Sequence, residues 1–292
     1  MNKLKAWIYA FRLRTLPLAL SSILTGSSIA FSQDRQNFSW LVFILCVVTT
    51  VLLQVLSNLA NDYGDSEKGT DNEYRIGPPR AVQSGMLSFA EIKVGIVIAS
   101  VLSLISGSFL VKEATKELDF SVAIIFFVLG LGAIAAAIKY TVGKNAYGYL
   151  GLGDVFVLFF FGFVGVGGSY FLLSHRVDLS VLLPGLSIGV FAAGVLNLNN
   201  MRDFDSDMKS GKFTLAGRLG LENAKTYHST LMIIGFMATI VYVYMNLISS
   251  IQFLFIISLL LFKKHINVVQ DVEDPKDFDP QLKQLALSTF IF

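Results

Sequence analysis

NLANDYGDSEKGTDNEYRIGPPR, residues 58–80, is the stretch whose reading decides the fold. It follows a long apolar run without a break, and its carboxylates arrive at helical spacing. Asn58, Asp62 and Asp65 stand at i, i+4 and i+7, so one helix face presents all three. Asp71 follows, then Arg75 and Arg80. Carboxylates crowded together repel, and without a cation between them one is pushed to hold a proton. A hard divalent metal removes that conflict. Mg²⁺ suits such oxygen donors, because it binds through a few carboxylates together with phosphate oxygens. The arginines are then left to hold the remaining phosphate charge.

A second stretch answers the first: NLNNMRDFDSDMKSGKFTLAGRLG, residues 197–220. Asn199, Asp203 and Asp207 again fall on one helical face, and Arg202, Lys209, Lys212 and Arg218 supply positive charge. The shared Asn-x-x-x-Asp core, Asn58/Asp62 and Asn199/Asp203, points to two pseudo-repeated halves. Either stretch alone reads equally well as a solvated, charged loop. Two of them, each placed directly after an apolar span, favour one shared site.

Working outward, the rest of the chain is apolar. Hydrophobic residues make up 54% and charged residues 15% of 292 residues, with a mean hydropathy of +0.63. Soluble domains carry about 25% charged residues. The chain is therefore expected to be an all-α integral membrane protein forming one polytopic domain, residues 1–292. Expected spans are 8–31, 41–60, 92–111, 120–139, 153–173, 179–198, 226–245 and 247–262, with a ninth apolar piece from about 282. That last piece is too short to cross a hydrocarbon core of about 30 Å. A β-barrel is excluded by the continuous apolar runs, since barrel strands alternate with period two. The first run resembles a signal peptide only superficially: a polytopic chain follows, without a convincing cleavage site.

Net charge is +2 with the basic residues scattered, which gives no footprint for nucleic acid. The single cysteine, Cys46, lies inside a span and excludes an intramolecular disulfide or a cysteine metal site. His175 and His265 are expected at loops and His228 near the start of the seventh span, and none has a second histidine at ligand spacing. With the N-terminus inside, the outer loops hold Arg35, Lys112, Lys116 and Arg176, four of 23 basic residues. Both aspartate stretches then fall on the cytoplasmic side, as does the loop 140–152 with Tyr140 and Lys144. Lys144 is either a phosphate ligand or a topology-setting charge. Arg12 and Arg14, before Pro17, either anchor the first span at the interface or reach the site. The acidic tail 270–284 reads as a loop without chemistry.

These residues resemble the UbiA superfamily of membrane prenyltransferases over almost the whole chain, and within it the naphthoate-prenylating branch. The resemblance rests on NLANDYGDSEKGTD running into RIGPPR, on Tyr140 and Lys144 followed by GYLGLGDVFVLFFFG, and on NNMRDFDSDMKSGKFTLAGRLG. The family's first motif, Asn-Asp-x-x-Asp-x-x-x-Asp, is matched by Asn61, Asp62 and Asp65. Its last position is Gly69 here, and Asp71 comes two residues later. The second motif, Asp-x-x-x-Asp, is matched by Asp203 and Asp207.

The resemblance implies a bundle of about nine transmembrane helices around a central cavity. It also implies Mg²⁺-dependent transfer from a polyprenyl diphosphate to 1,4-dihydroxy-2-naphthoate. Asp62, Asp65, Asp71, Asp203 and Asp207 are then expected to bind metal. Arg75, Arg80, Lys144, Lys212, Asn58, Asn61, Asn199, Asn200 and Tyr140 are expected to hold the diphosphate. The competing readings are a family member using another acceptor such as 4-hydroxybenzoate, and a cation-coupled transporter. CDP-alcohol phosphotransferases are excluded because Ser66 follows Asp65 where their motif needs glycine.

Overall fold

The computed structural model describes residues 2–72 and 75–292, and the described residues contain helices and no strand. Eight helical segments are long and apolar enough to span a membrane. We number the helices α1 (Lys3–Phe11), α2 (Leu16–Gln33), α3 (Trp40–Glu67), α4 (Phe89–Ala114), α5 (Phe120–Lys139) and α6 (Gly153–Ser174). There follow α7 (Leu182–Arg202), α8 (Phe204–Lys209), α9 (Leu215–Leu219), α10 (Leu221–Met245), α11 (Leu259–Asp271) and α12 (Phe278–Ile291). The chain is an integral membrane protein: large apolar side chains such as Ile98, Phe120, Ile125 and Ile257 face outward along these spans.

Two adjustments to the expected spans matter for the site. The first span is broken: α1 ends at Arg12, whose φ of 50° is left-handed, and a 3-10 turn carries the chain into α2 with Pro17 in its first turn. The second span runs on past residue 60 as one 28-residue helix to Glu67, so the first aspartate stretch begins as the protruding end of α3. At the other end Ser39 caps α3, accepting from the Val42 amide.

Three helix contacts organise the interior. In the first half α3 packs along α4; in the second half α7 packs against both α10 and α6. Small residues allow the close approach. A Cβ on Gly162 of α6 would lie 2.5 Å from the Gly185 carbonyl of α7, and one on Gly26 of α2 would lie 2.2 Å from the Val166 carbonyl. Residues 158–168 of α6 are wound as a π-helix, a wide winding usually confined to single turns.

The short ninth piece is α12, 14 residues long, and it packs against α7, α2 and α11. Its neighbour Phe292 enters an aromatic cluster with Phe191, Phe236, Phe255 and Phe262. One expectation is corrected here. His265 is not in a loop: it is fully buried in α11, with its Nε2 2.9 Å from Nε2 of His228 on α10 and its Nδ1 3.0 Å from Gln281 Oε1 on α12. The pair is a polar bolt joining three helices.

Candidate active site

Both aspartate stretches end in the same backbone device. α3 stops at Glu67, and Gly69 takes a φ of 72°, so the chain reverses and the amides of Thr70 and Asp71 both point at the Asp65 carbonyl (2.9 and 3.3 Å). In the second half Gly211 has a φ of 74°, and the Lys212 amide donates to the Asp207 carbonyl at 2.8 Å. Glycine is needed at each turn because L-residues are strained there. This explains the departure in the first motif. With glycine at 69, Asp71 is folded back to face Asp65.

The two turns bring Asp65, Asp71, Asp203 and Asp207 to one narrow cleft, with Arg75, Arg80, Lys212 and Asn199 among them. Cations thread the carboxylates. Arg75 Nε is 2.8 Å from Asp71 Oδ1 and its Nη2 is 3.7 Å from Asp203 Oδ2. Arg80 Nε is 3.5 Å from Asp71 Oδ1. Lys212 Nζ bridges the halves, 3.4 Å from Asp207 Oδ1 and 3.8 Å from Asp65 Oδ1.

Charge is strongly perturbed in this cleft. Burial, then the Asp65 charge, push the Asp71 carboxyl up to about 7 against the pull of Arg75. Burial also pushes Asp207 up to about 7, with Lys212 opposing. Burial would lower Lys212, but Asp65 and Asp207 together hold it well above its ordinary value. Burial would raise Asp203 too, yet the hydrogen bonds and charge of Arg202 keep it below the usual carboxylate range.

Other expected site residues lie outside the cleft lining. Asp62 turns away: its two oxygens accept from the Ala81 and Val82 amides at 2.9 and 3.2 Å, fixing the turn that follows Arg80. Asn58 donates to the Phe11 carbonyl (2.9 Å) and to Thr15 Oγ1 (3.0 Å), tying down the broken first span. Arg12 Nη2 approaches the Asn58 carbonyl at 3.4 Å, so of the two N-terminal arginines it reaches toward the base of the acidic face. Asn200 is buried on α7 with no partner for its Oδ1. Lys144 is exposed on the loop.

Tyr149 is the functional residue that sequence reasoning missed. Its hydroxyl donates to Asp65 Oδ1 at 2.8 Å and meets Thr70 Oγ1 at 2.6 Å. The Lys68 ammonium lies 3.8 Å from its ring centroid. Its carbonyl accepts from the Phe213 amide, beside Lys212. The loop between α5 and α6 is thereby fastened across both acidic turns.

Next to the cleft lies an apolar cavity of about 340 Å³. Asn61, Gln54 and Tyr140 line it, together with side chains of α2 to α6 such as Ile23, Phe126, Phe160 and Leu172. Tyr140 is subject to the charges of Lys212, Asp65 and Asp207 as well, so it stands where cavity and cleft meet. Leu104, Phe127 and Leu131, on the spans α4 and α5, line the cavity and are exposed, so it opens sideways toward lipid.

A divalent cation fits this cleft in a particular way. Among the described residues no three Asp, Glu, His or Cys side chains form a ready metal cage. The Asp207 Oδ2 is nevertheless buried without a partner, and Asp71 and Asp207 are paired with the cations Arg75, Arg80 and Lys212. Mg²⁺ takes one or two carboxylates plus substrate phosphate rather than a full protein cage.

A family model described as the UbiA prenyltransferase family matches residues 19–279. The chain belongs to the UbiA prenyltransferase family. It is 45% identical over 99% of its length to the 1,4-dihydroxy-2-naphthoate octaprenyltransferase of Haemophilus influenzae, covering 94% of that protein. It is 41% identical over 97% of its length to the enzyme of the same name from Escherichia coli, covering 91% of it. The fold matches a UbiA homolog from Aeropyrum pernix K1 with a TM-score of 0.67 at 16% identity, over 100% of this chain and 98% of that one. It also matches a UbiA homolog from Archaeoglobus fulgidus bound to DMAPP and Mg²⁺, with a TM-score of 0.63 at 17% identity, over 96% and 97% of the two chains. The family fold accounts for the bundle.

Proposed function

We propose that this chain transfers a polyprenyl group from polyprenyl diphosphate to 1,4-dihydroxy-2-naphthoate with loss of carbon dioxide, giving a demethylmenaquinol. The observation that carries the reading is a cleft of paired carboxylates and cations set against an apolar cavity open to lipid. The near-full-length similarity to two naphthoate octaprenyltransferases supports the acceptor. Octaprenyl is the donor named for those relatives.

The residues divide the work. Arg75, Arg80 and Lys212 hold the non-bridging oxygens of the diphosphate once it enters the cleft. Asp65, Asp71, Asp203 and Asp207 would hold Mg²⁺, and Asp62 acts from behind by fixing the turn after Arg80. When bound, the metal offsets the charge that grows on the leaving diphosphate. The carbon–oxygen bond breaks with its electron pair leaving on the diphosphate. The walls around Phe160 and Leu172 keep water from the allylic cation. Tyr140 and Asn61, at the neck, border the space where the electron-rich ring of the naphthoate carboxylate attacks. Release of carbon dioxide then restores the aromatic ring. The basic-residue bias supports a site on the cytoplasmic side of the bacterial cytoplasmic membrane.

Mass spectrometry of products tests this. Purified protein in detergent receives Mg²⁺, a polyprenyl diphosphate and either 1,4-dihydroxy-2-naphthoate or 4-hydroxybenzoate. The expected result is a prenylated, decarboxylated naphthoquinol from the first acceptor only, lost on adding chelator. Product from 4-hydroxybenzoate alone would overturn the acceptor and leave the family chemistry standing.

A further inference from the structure

The acidic tail, expected to be a loop without chemistry, runs into α12 and sends one carboxylate to Arg202, beside the active-site cleft. Arg202, at the end of α7, is only 2% exposed. Its Nε and Nη2 form a fork on Asp203, at 3.0 Å to Oδ1 and 2.7 Å to Oδ2. Nη2 also donates to Asn199 Oδ1 at 2.9 Å. The third nitrogen, Nη1, donates to Asp279 Oδ1 at 2.6 Å, and Asp279 stands in the first turn of α12. Gly77 closes over this group: a Cβ there would lie 2.6 Å from Arg202 Nη2.

This arrangement poses an electrostatic problem. Arg202 and Asp203 alone form a neutral pair with both carboxylate oxygens occupied, and Arg75 adds further positive charge 3.7 Å from Asp203 Oδ2. Such a carboxylate is a poor partner for a dication. Asp279 changes the balance. It shares the guanidinium charge and makes the three-residue unit net negative, while lying outside the cleft lining itself.

We propose that Asp279 is a positioning residue for the active site: by pairing with Arg202 it keeps Asp203 able to bind the divalent cation. This rests on the metal-dependent reading given above. The last helix is thereby part of the reaction machinery through one ion pair.

The test separates charge from scaffolding. Asp279→Asn keeps an oxygen for Nη1 and removes the charge; Asp279→Glu keeps the charge. Binding of Mn²⁺ to the full chain in detergent, with a non-cleavable diphosphate analogue present, is read by the loss of the free Mn²⁺ EPR signal. The thermal midpoint of the metal-free protein is read alongside. The expected result is a Kd about tenfold weaker in Asp279→Asn, at an unchanged midpoint, with Asp279→Glu within about twofold of wild type. Wild-type affinity in Asp279→Asn overturns the proposal. So does a loss of affinity in all variants that tracks a lowered midpoint, because that marks a merely structural clamp. Wild-type protein that binds no Mn²⁺ overturns the metal-dependent reading itself, and this proposal with it.

Discussion

At the scale of single residues, the acidic cleft depends on side chains from three separate segments: the end of α3 with the turn after it, the α5–α6 loop, and the α7–α8 junction with the turn after it. Tyr149 takes one oxygen of Asp65 and leaves the other for a cation. A hydrogen bond to a charged group contributes roughly 1.5–3 kcal/mol. Tyr149→Phe is accordingly expected to raise the Mg²⁺ concentration for half-maximal turnover by about tenfold or more, with little change in thermal midpoint. A metal titration of the variant checks this, and an unchanged titration would remove Tyr149 from the site. The raised carboxyls make a second prediction. Asp71 and Asp207 sit near 7 without metal, so above that pH they are ionised and ready for a cation. Below it each must first lose a proton. Apparent metal affinity should fall as pH drops through 7, by on the order of tenfold per pH unit for each proton displaced. Mn²⁺ titrations between pH 6 and 8.5 would show a flat profile if the carboxyls were ionised throughout. The two acidic stretches were legible in the sequence because each gathers several carboxylates directly after an apolar span. The orientation of Asp62 was not, because its partners are backbone amides that no side-chain pattern encodes. Tyr149 gave no signal either. A tyrosine in a glycine-rich loop has no period, and attention fell on Tyr140 and Lys144 instead.

At the scale of elements, the spans were readable because continuous apolar runs of this length have one stable solution in lipid. The breaks were not. The left-handed turn at Arg12 is set by the contacts of the first span with Asn58, far along the chain. The π winding of residues 158–168 is likewise silent in composition, although its glycines are visible. Those glycines do two different things. Gly162 lies under the Gly185 carbonyl, whereas a Cβ on Gly132 of α5 meets nothing within 4 Å. Gly162→Ala should force α6 and α7 apart and cost about 1–3 kcal/mol, while Gly132→Ala should be neutral. Thermal midpoints of the two variants in the same detergent decide this. Equal midpoints would mean that the two helices slide apart without resistance.

At the scale of the whole molecule, the two halves are built alike at their acidic turns and unlike elsewhere. The first half presents α5, of which only Ala136 is buried, as an outer wall of the cavity. The second half is closed by the aromatic cluster around Phe292 and by the His228–His265 bolt. The likeness lies in the glycine turns after Asp65 and Asp207; the asymmetry depends on packing that only the folded chain displays. The sideways opening at Leu104, Phe127 and Leu131 has a kinetic consequence. A donor that enters through the flank of the bundle never passes through water, so the enzyme meets it in two dimensions. Its rate should then follow the mole fraction of polyprenyl diphosphate within the micelle or bilayer and ignore the amount per litre. Diluting mixed micelles with empty detergent should slow turnover even when the bulk substrate concentration is kept constant, whereas adding buffer should leave the rate per enzyme unchanged.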